Sequence, residues 1–356
     1  MTKNENLKLT FRGGGWVLVL LLVVVLSIIA WAVAPAFLRL SHKAPGDGQT
    51  VSSYLFEMDS IAVPEKTLVP AMRNRDMSPV LSQPDILSPN ELANYNKSRR
   101  DKYIVSKDLV VGVEIGGETR AYPLHVLNVH EIVNDTLGGT PISVYWNWPS
   151  GNIEVFERMI DEKEVNFKIS GLSGNGTMLL YPEKPTVGGE QLFSPILGSS
   201  ITGPNIPLRH IPHEVVHFSN WIAKHPETTA ISPIKYYKKR YRKGDPRVYF
   251  LNDTIYFPAE PMPADTLHPK TQVIAIETNS GFDVYSVPEL DSLANEFGEV
   301  QIRINGNEAI IRTGNGPLWA TAHTTNGELL RSHKSLWFSW HANHPDSRLM
   351  LLSTRD

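Results

Sequence analysis

The chain has 356 residues, a formal net charge of -3, 41% hydrophobic and 20% charged residues, the balance of a globular protein with no global attraction for nucleic acid. It has no cysteine, which excludes disulfides, thiol nucleophiles, thiolate zinc sites and iron–sulfur ligation together. Histidine, carboxylate, serine and lysine chemistry remain, on a length that suits two ordinary domains or one large one.

After an N-terminal tail (residues 1–15), residues 16–38 read WVLVLLLVVVLSIIAWAVAPAFL without a charge. At about 1.5 Å per residue this helix spans a hydrocarbon core of about 30 Å, and Trp16 and Trp31 suit its interfaces. Lys3, Lys8 and Arg12 precede it, against Arg39 and Lys43 after it. That slight basic excess predicts a single-pass signal anchor in the lipid bilayer of the cell membrane, with a cytoplasmic tail and the C-terminal bulk of the chain outside the cytoplasm. A cleaved signal peptide competes, because Ala34-Pro35-Ala36 resembles a small-residue cleavage site. The apolar run exceeds a usual signal-peptide core, which favours the anchor.

Residues 39–63, with the polar, breaker-rich SHKAPGDGQT, read as a linker. From Pro64 to Pro89 prolines recur among short apolar pairs, the pattern of an extended arm lying on a domain. Ser88 then suits a helix N-cap, Pro89 the first helical position and Glu91 the third. LVVGVE (109–114) and TRAYPL (119–124) flank Gly116-Gly117, a hairpin signal. Leu124 to Thr136 has apolar residues at 124, 127, 129, 132 and 133, a helical spacing that Gly138-Gly139 stops. Residues 142–146 and 153–156 are strands around the turn Trp146-Asn147-Trp148-Pro149-Ser150, and a second short helix ends at Trp221 to His225, closed by Pro226.

DLVVGVEIGGETRAYPLHVL (108–127) aligns without gaps with TQVIAIETNSGFDVYSVPEL (271–290), and WIAKHPET from Trp221 matches WHANHPDS from Trp340. Two matches in one order predict an α+β, β-rich body of two diverged tandem repeats with short helices: 64–250 with its N-terminal arm, and a shorter 251–356.

The run VVGVEIGGETRAYPLHVLNVHEIVNDTLGGTPISVYW resembles the bacterial domain-of-unknown-function 3179 family. ISGLSGNGTMLLYP, LFSPILGSSITGP, WIAKHPETTAIS, YYKKRYRKGDPRVYF and LHPKTQVIAIE follow in the family's order, over roughly residues 64–345. Family members commonly carry Cys-Pro-x-Cys after the strand that ends in Tyr, some with selenocysteine at the first position, which implies thiol redox or soft-metal chemistry. Here Trp146-Asn147-Trp148-Pro149-Ser150 stands in that place, so no thiolate attacks a disulfide or binds copper(I).

His130 and Glu131, with Asn134 and Asp135 one helical turn on, are candidates for a general base or a divalent-metal ligand set; the bland alternative is a capped helix. The resemblance favours a site there, and Tyr145, Trp146, Asn147 and Trp148 of the turn, with Asn175 of the glycine-rich loop 170–176, complete the candidate pocket. His213-Glu214-Val215-Val216-His217 is a literal H-E-x-x-H, whose zinc reading needs both histidines one helical turn apart; LRHIP before it reads instead as a strand end, and His210 adds to a local cluster. Lys235 to Arg247 (KYYKKRYRKGDPR) suits a solvated loop, or an anionic polymer or headgroup partner, better than nucleic acid.

Three functions follow. The leading expectation is a non-catalytic binding or scaffold module of the cell envelope, with an envelope protein or anionic polymer as partner. The alternatives are a metal-binding protein or enzyme that uses His130 and Glu131, and a zinc hydrolase that uses His213, Glu214 and His217.

Overall fold

A computed structural model describes residues 15–41, 44–97, 102–243, 246–264, 266–314 and 320–352. The chain forms two compact units, Met1–Pro45 and Gly46–Asp356. In the first, Gly15–Ser41 is one α-helix of 27 residues. Its stretch Gly15–Val33 is long and apolar enough to cross a membrane. The leucines, valines and isoleucines along it are exposed, an arrangement that water penalises and lipid does not.

The second unit is a mixed α+β fold, strand-rich, with several sheets. Its largest sheet runs in the order Leu81–Ser82, Ile132–Leu137, Thr140–Asn147, Asn152–Glu157, Ser332–Leu336, Gln272–Thr278, Gly281–Ser286 and Arg348–Met350. The two halves of the sheet meet where Ile153 pairs with Lys334. Side-chain alternation buries both faces. Val133, Val144, Trp146, Ile153 and Val155 enter one core with Val110, Val126 and Trp221, while Ile132, Tyr145 and Phe156 enter another with Phe167, Leu180 and Phe193.

Both glycine pairs are hairpin turns. Gly116-Gly117 and Gly138-Gly139 take positive φ at both positions, the geometry of a two-residue hairpin loop. A Cβ at Gly138 would lie 2.3 Å from the Ile115 carbonyl oxygen, so the two turns nest only because that position is glycine.

The expected helix over Leu124–Thr136 is half right. Leu124–His130 is helical, but Glu131 turns the chain with φ 58°, and Ile132–Leu137 is a strand. Val129, Ile132 and Val133 fit either period; pairing with Thr140–Asn147 decides for the strand. Asn134 and Asp135 therefore share no helical face with His130 and Glu131. Residues 46–63, expected as linker, pack into the body: Tyr54 and Phe56 are buried with Leu172 and Leu192.

The proline-rich arm lies along three sheet edges. Val69–Pro70 pairs with Phe167–Gly174, Leu81–Ser82 with Ile132–Leu137, and Ile86–Leu87 with Thr229–Ile231. Each is a terminal strand of its sheet, so the arm occupies backbone groups that would otherwise invite foreign pairing. At the arm's end the capping box forms as expected: Ser88 N and Oγ donate to Glu91 Oε2 at 2.9 and 2.7 Å, ahead of the helix Pro89–Lys97.

Two sets of four strands share one pairing scheme. Glu214–His217 pairs antiparallel with Leu109–Ile115, that strand antiparallel with Glu118–Pro123, and that one parallel with Thr229–Ile231. Ser332–Leu336, Gln272–Thr278, Gly281–Ser286 and Arg348–Met350 repeat the order and every sense. The indole of Trp221 donates to Thr228 Oγ1 at 2.8 Å, and that of Trp340 to Ser347 Oγ at 3.0 Å.

Candidate metal centre

Glu154 sits mid-strand in Asn152–Glu157, opposite Tyr145. Because Ile153 pairs with Lys334, the register brings His333 of the next strand beside it. His210 arrives on a segment that runs along the same strand. Glu157 N donates to Arg209 O at 2.9 Å and Ile211 N to Val155 O at 2.7 Å, which fixes His210 between them. Behind that ring, a Cβ at Gly198 would lie 3.0 Å from His210 Nε2, so a glycine makes room for it.

The three side chains converge. His210 Nδ1 lies 2.9 Å from Glu154 Oε2, and His333 Nδ1 lies 3.1 and 3.0 Å from Oε1 and Oε2. Their ligand atoms all fall within 4.8 Å of one another. Glu154 and His333 are buried and His210 nearly so. Asn152 Nδ2 donates to Glu154 Oε1 at 2.9 Å, and Glu277 Oε1 lies 3.6 Å from His333 Nε2, an electrostatic contact too long for a hydrogen bond. Phe282 and Trp340, each 5.5 Å from the His333 ring, wall the site.

The electrostatics favour an ionised carboxylate. Burial opposes the Glu154 charge, but the two imidazoles outweigh it and hold the carboxyl well below the usual carboxylate range. Burial also opposes the His333 charge; Glu154 and then Glu277 overcome it and raise that imidazole to about 9. A metal has to displace the His333 proton to bind, and once it does the donors fit on their chemistry. Two imidazole nitrogens and a carboxylate oxygen are ligands that borderline divalent ions accept, and a carboxylate behind a ligating histidine fixes its ring and raises its basicity. A divalent ion would supply Lewis acidity at this point; Glu154, His210 and His333 would hold it.

The pocket expected from sequence is placed differently. His130 is buried, with Nδ1 bonded to Pro79 O and Nε2 2.8 Å from Tyr241 Oη. Glu131 is buried and accepts from Ser78 Oγ; burial pushes it up to about 7, against that hydrogen bond. Asn134 ties Phe167 N and O and Ser143, and Asp135 accepts from Arg120 and Tyr122. Tyr145 donates to Met178 O, and Asn175 bridges Glu260 and Ala342. Trp146 is core, 1% exposed, its indole donating to Asn128 Oδ1 at 2.7 Å. Trp148 is half-buried against Tyr249 and Tyr256. Asn147 and Ser150 bond each other at 2.8 Å.

The H-E-x-x-H geometry is not formed. Glu214–His217 is a strand, which carries residues four apart about 13 Å along the chain instead of one helical turn. His213 Nδ1 lies 3.1 Å from Ile211 O and His217 Nδ1 2.9 Å from Lys107 O, while Glu214 pairs with Lys224. Burial, then the neighbouring Lys334 charge, pushes His213 down to about 3.

Sequence reading thus missed Glu154 and His333 and gave His210 to another cluster. Residues 79–347 match the family model described as Protein of unknown function (DUF3179). The chain belongs to that family. No curated protein and no solved structure matches it. Within the DUF3179 family this chain is a divergent, cysteine-free member. The turn Trp146 to Ser150 leads straight into the strand that carries Glu154: Asn152 N donates to Ser150 Oγ at 3.3 Å, and Asn152 Nδ2 to Glu154.

Proposed function

We propose that this protein is a membrane-anchored metal-binding protein whose centre is Glu154, His210 and His333, with Glu277 behind His333. The observation that carries the reading is the convergence of three ligand atoms within 4.8 Å at a largely buried place. It displaces the scaffold expectation, and it moves the metal from His130 and Glu131 to the neighbouring strands. The centre it assigns uses nitrogen and oxygen donors, which a cysteine-free chain can supply. The apolar helix near the N-terminus supports a single-pass anchor, and the basic excess before it supports placement of the body outside the cytoplasm.

The body is a duplicated unit. The shared pairing order, the matching indole bonds and the aligned sequence support this. In the alignment His333 stands where the first copy has Glu214, which leaves the centre to the second copy's strand and its partner across the sheet.

The test is metal titration of the full-length protein in detergent with Zn²⁺ and Co²⁺. One equivalent binds the wild type. Glu154→Gln, His210→Ala and His333→Ala each weaken binding by about tenfold to a hundredfold or abolish it, while His130→Ala and His213→Ala keep the stoichiometry. Full binding by Glu154→Gln and His333→Ala, or loss in His130→Ala, overturns the assignment.

A further inference from the structure

Glu299–Ile304 is the outer strand of a three-stranded sheet with Asn307–Thr313 and Ala320–Thr324. One of its edges is paired, antiparallel with Asn307–Thr313. The other edge is closed at both ends. Glu299 N donates to Asn295 Oδ1 at 2.9 Å, and Glu299 O accepts from Asn295 N at 3.1 Å. At the far end the chain leaves through the turn Asn305-Gly306, with φ of 52° and 81°. Backbone groups alternate in direction along a strand, so the N–H and C=O of Gln301 and Arg303 point the same way as those of Glu299. No hydrogen bond engages them among the described residues.

The first half of the body shows the matching place filled. Ile132–Leu137 also runs into its hairpin partner through a two-residue turn, Gly138-Gly139 with φ of 54° and 75°. Asn134 stands four residues before that turn, as Gln301 stands four before Asn305. There the outer edge carries Leu81–Ser82, and Asn134 O accepts from Gln83 N at 2.8 Å. An edge of this build therefore takes an added strand.

The open stretch narrows what that strand is. Only Gln301 and Arg303 are available between Asn295 and the turn, which leaves little for a long foreign strand but is complementary to itself. When two copies run antiparallel with Ile302 on the two-fold axis, Gln301 of each faces Arg303 of the other, and every free N–H and C=O is used. The charges agree with this register. Arg303 has Glu308 opposite it in its own sheet. Across the axis it meets the Gln301 amide and, one step along the same face, the Glu299 carboxylate of the second copy. We propose that two copies of this chain associate edge to edge through Glu299–Ile304, antiparallel and centred on Ile302. An isologous contact of this kind closes as a dimer and covers the edge that would otherwise recruit other strands. The proposal does not rest on the metal centre.

The chain has no cysteine, so single cysteines in the full-length protein in detergent report the register. Residues opposite each other in a non-hydrogen-bonded antiparallel pair have Cα atoms about 4.5 Å apart, within disulfide range. Ile302→Cys therefore forms a disulfide-linked dimer on mild oxidation. Val300→Cys and Ile304→Cys, which face each other and not themselves, form none alone and crosslink when the two proteins are mixed. Sedimentation equilibrium finds a wild-type dimer. Gln301→Pro removes one donor from each pair at a place where an edge strand tolerates proline, and weakens association by about tenfold or more. Arg303→Glu, a surface change that sets like charges beside Glu299, also weakens it. A monomeric wild type, crosslinking by Val300→Cys or Ile304→Cys alone, or undiminished association in Gln301→Pro and Arg303→Glu protein of native circular dichroism overturns the proposal.

Discussion

Glu131 is the clearest place where burial sets a pH dependence. Its carboxylate is buried at the turn between Leu124–His130 and Ile132–Leu137, with Ser78 as hydrogen-bond donor and, among the described residues, no partner for Oε2. Burial raises it from 4.5 to about 7. A carboxyl raised in the folded state contributes stability below its unfolded value, and that contribution is lost as pH rises through about 7. The rise is worth about 3 kcal/mol at about 1.4 kcal/mol per pH unit, as an upper bound. Glu131→Gln keeps an acceptor for Ser78 and cannot ionise. Urea unfolding of the full-length protein in detergent, followed by tryptophan fluorescence, compares the two proteins at pH 4.5 and pH 8. The variant gains stability relative to wild type on going from pH 4.5 to pH 8, by up to about 3 kcal/mol. A stability difference that is the same at both pH values, or that grows against the variant at pH 8, refutes the reasoning.

Trp146→Ala empties a core position and costs about 3–5 kcal/mol in the same unfolding assay, while metal stoichiometry in the variant that remains folded is unchanged. Gly198→Val forces His210 out of its place against Gly198, so Co²⁺ affinity falls by about tenfold or more with the circular dichroism retained; full Co²⁺ affinity in that variant removes His210 from the centre.

The parts of the fold written in short sequence intervals were legible. Ser88 and Glu91 announced a capping box and form one. Gly116-Gly117 announced a hairpin and makes one. The reversal at Glu131 had no such signal. The apolar pattern across it fits a helix and a strand alike, and only the partner strand Thr140–Asn147 settles the choice. The tryptophans of the turn Trp146 to Ser150 misled for a related reason: the letters suggested a pocket, but alternation from Val144 to Trp146 carries the first one into the core. The candidate metal centre lay furthest from view. Glu154 and His333 are 179 residues apart in sequence and meet through one strand pair, so no ligand spacing exists to recognise. One local clue was present: a carboxylate flanked by Ile153 and Val155 within the apolar residues of the expected strand 153–156. A charge there has to be paired to persist, and its partners are His210, which sequence reading gave to another cluster, and His333, which it missed. Buried charge inside an apolar strand was thus a better pointer to this centre than the H-E-x-x-H letters. Those letters depend on a helix, and Glu214–His217 is held as a strand by Leu109–Ile115.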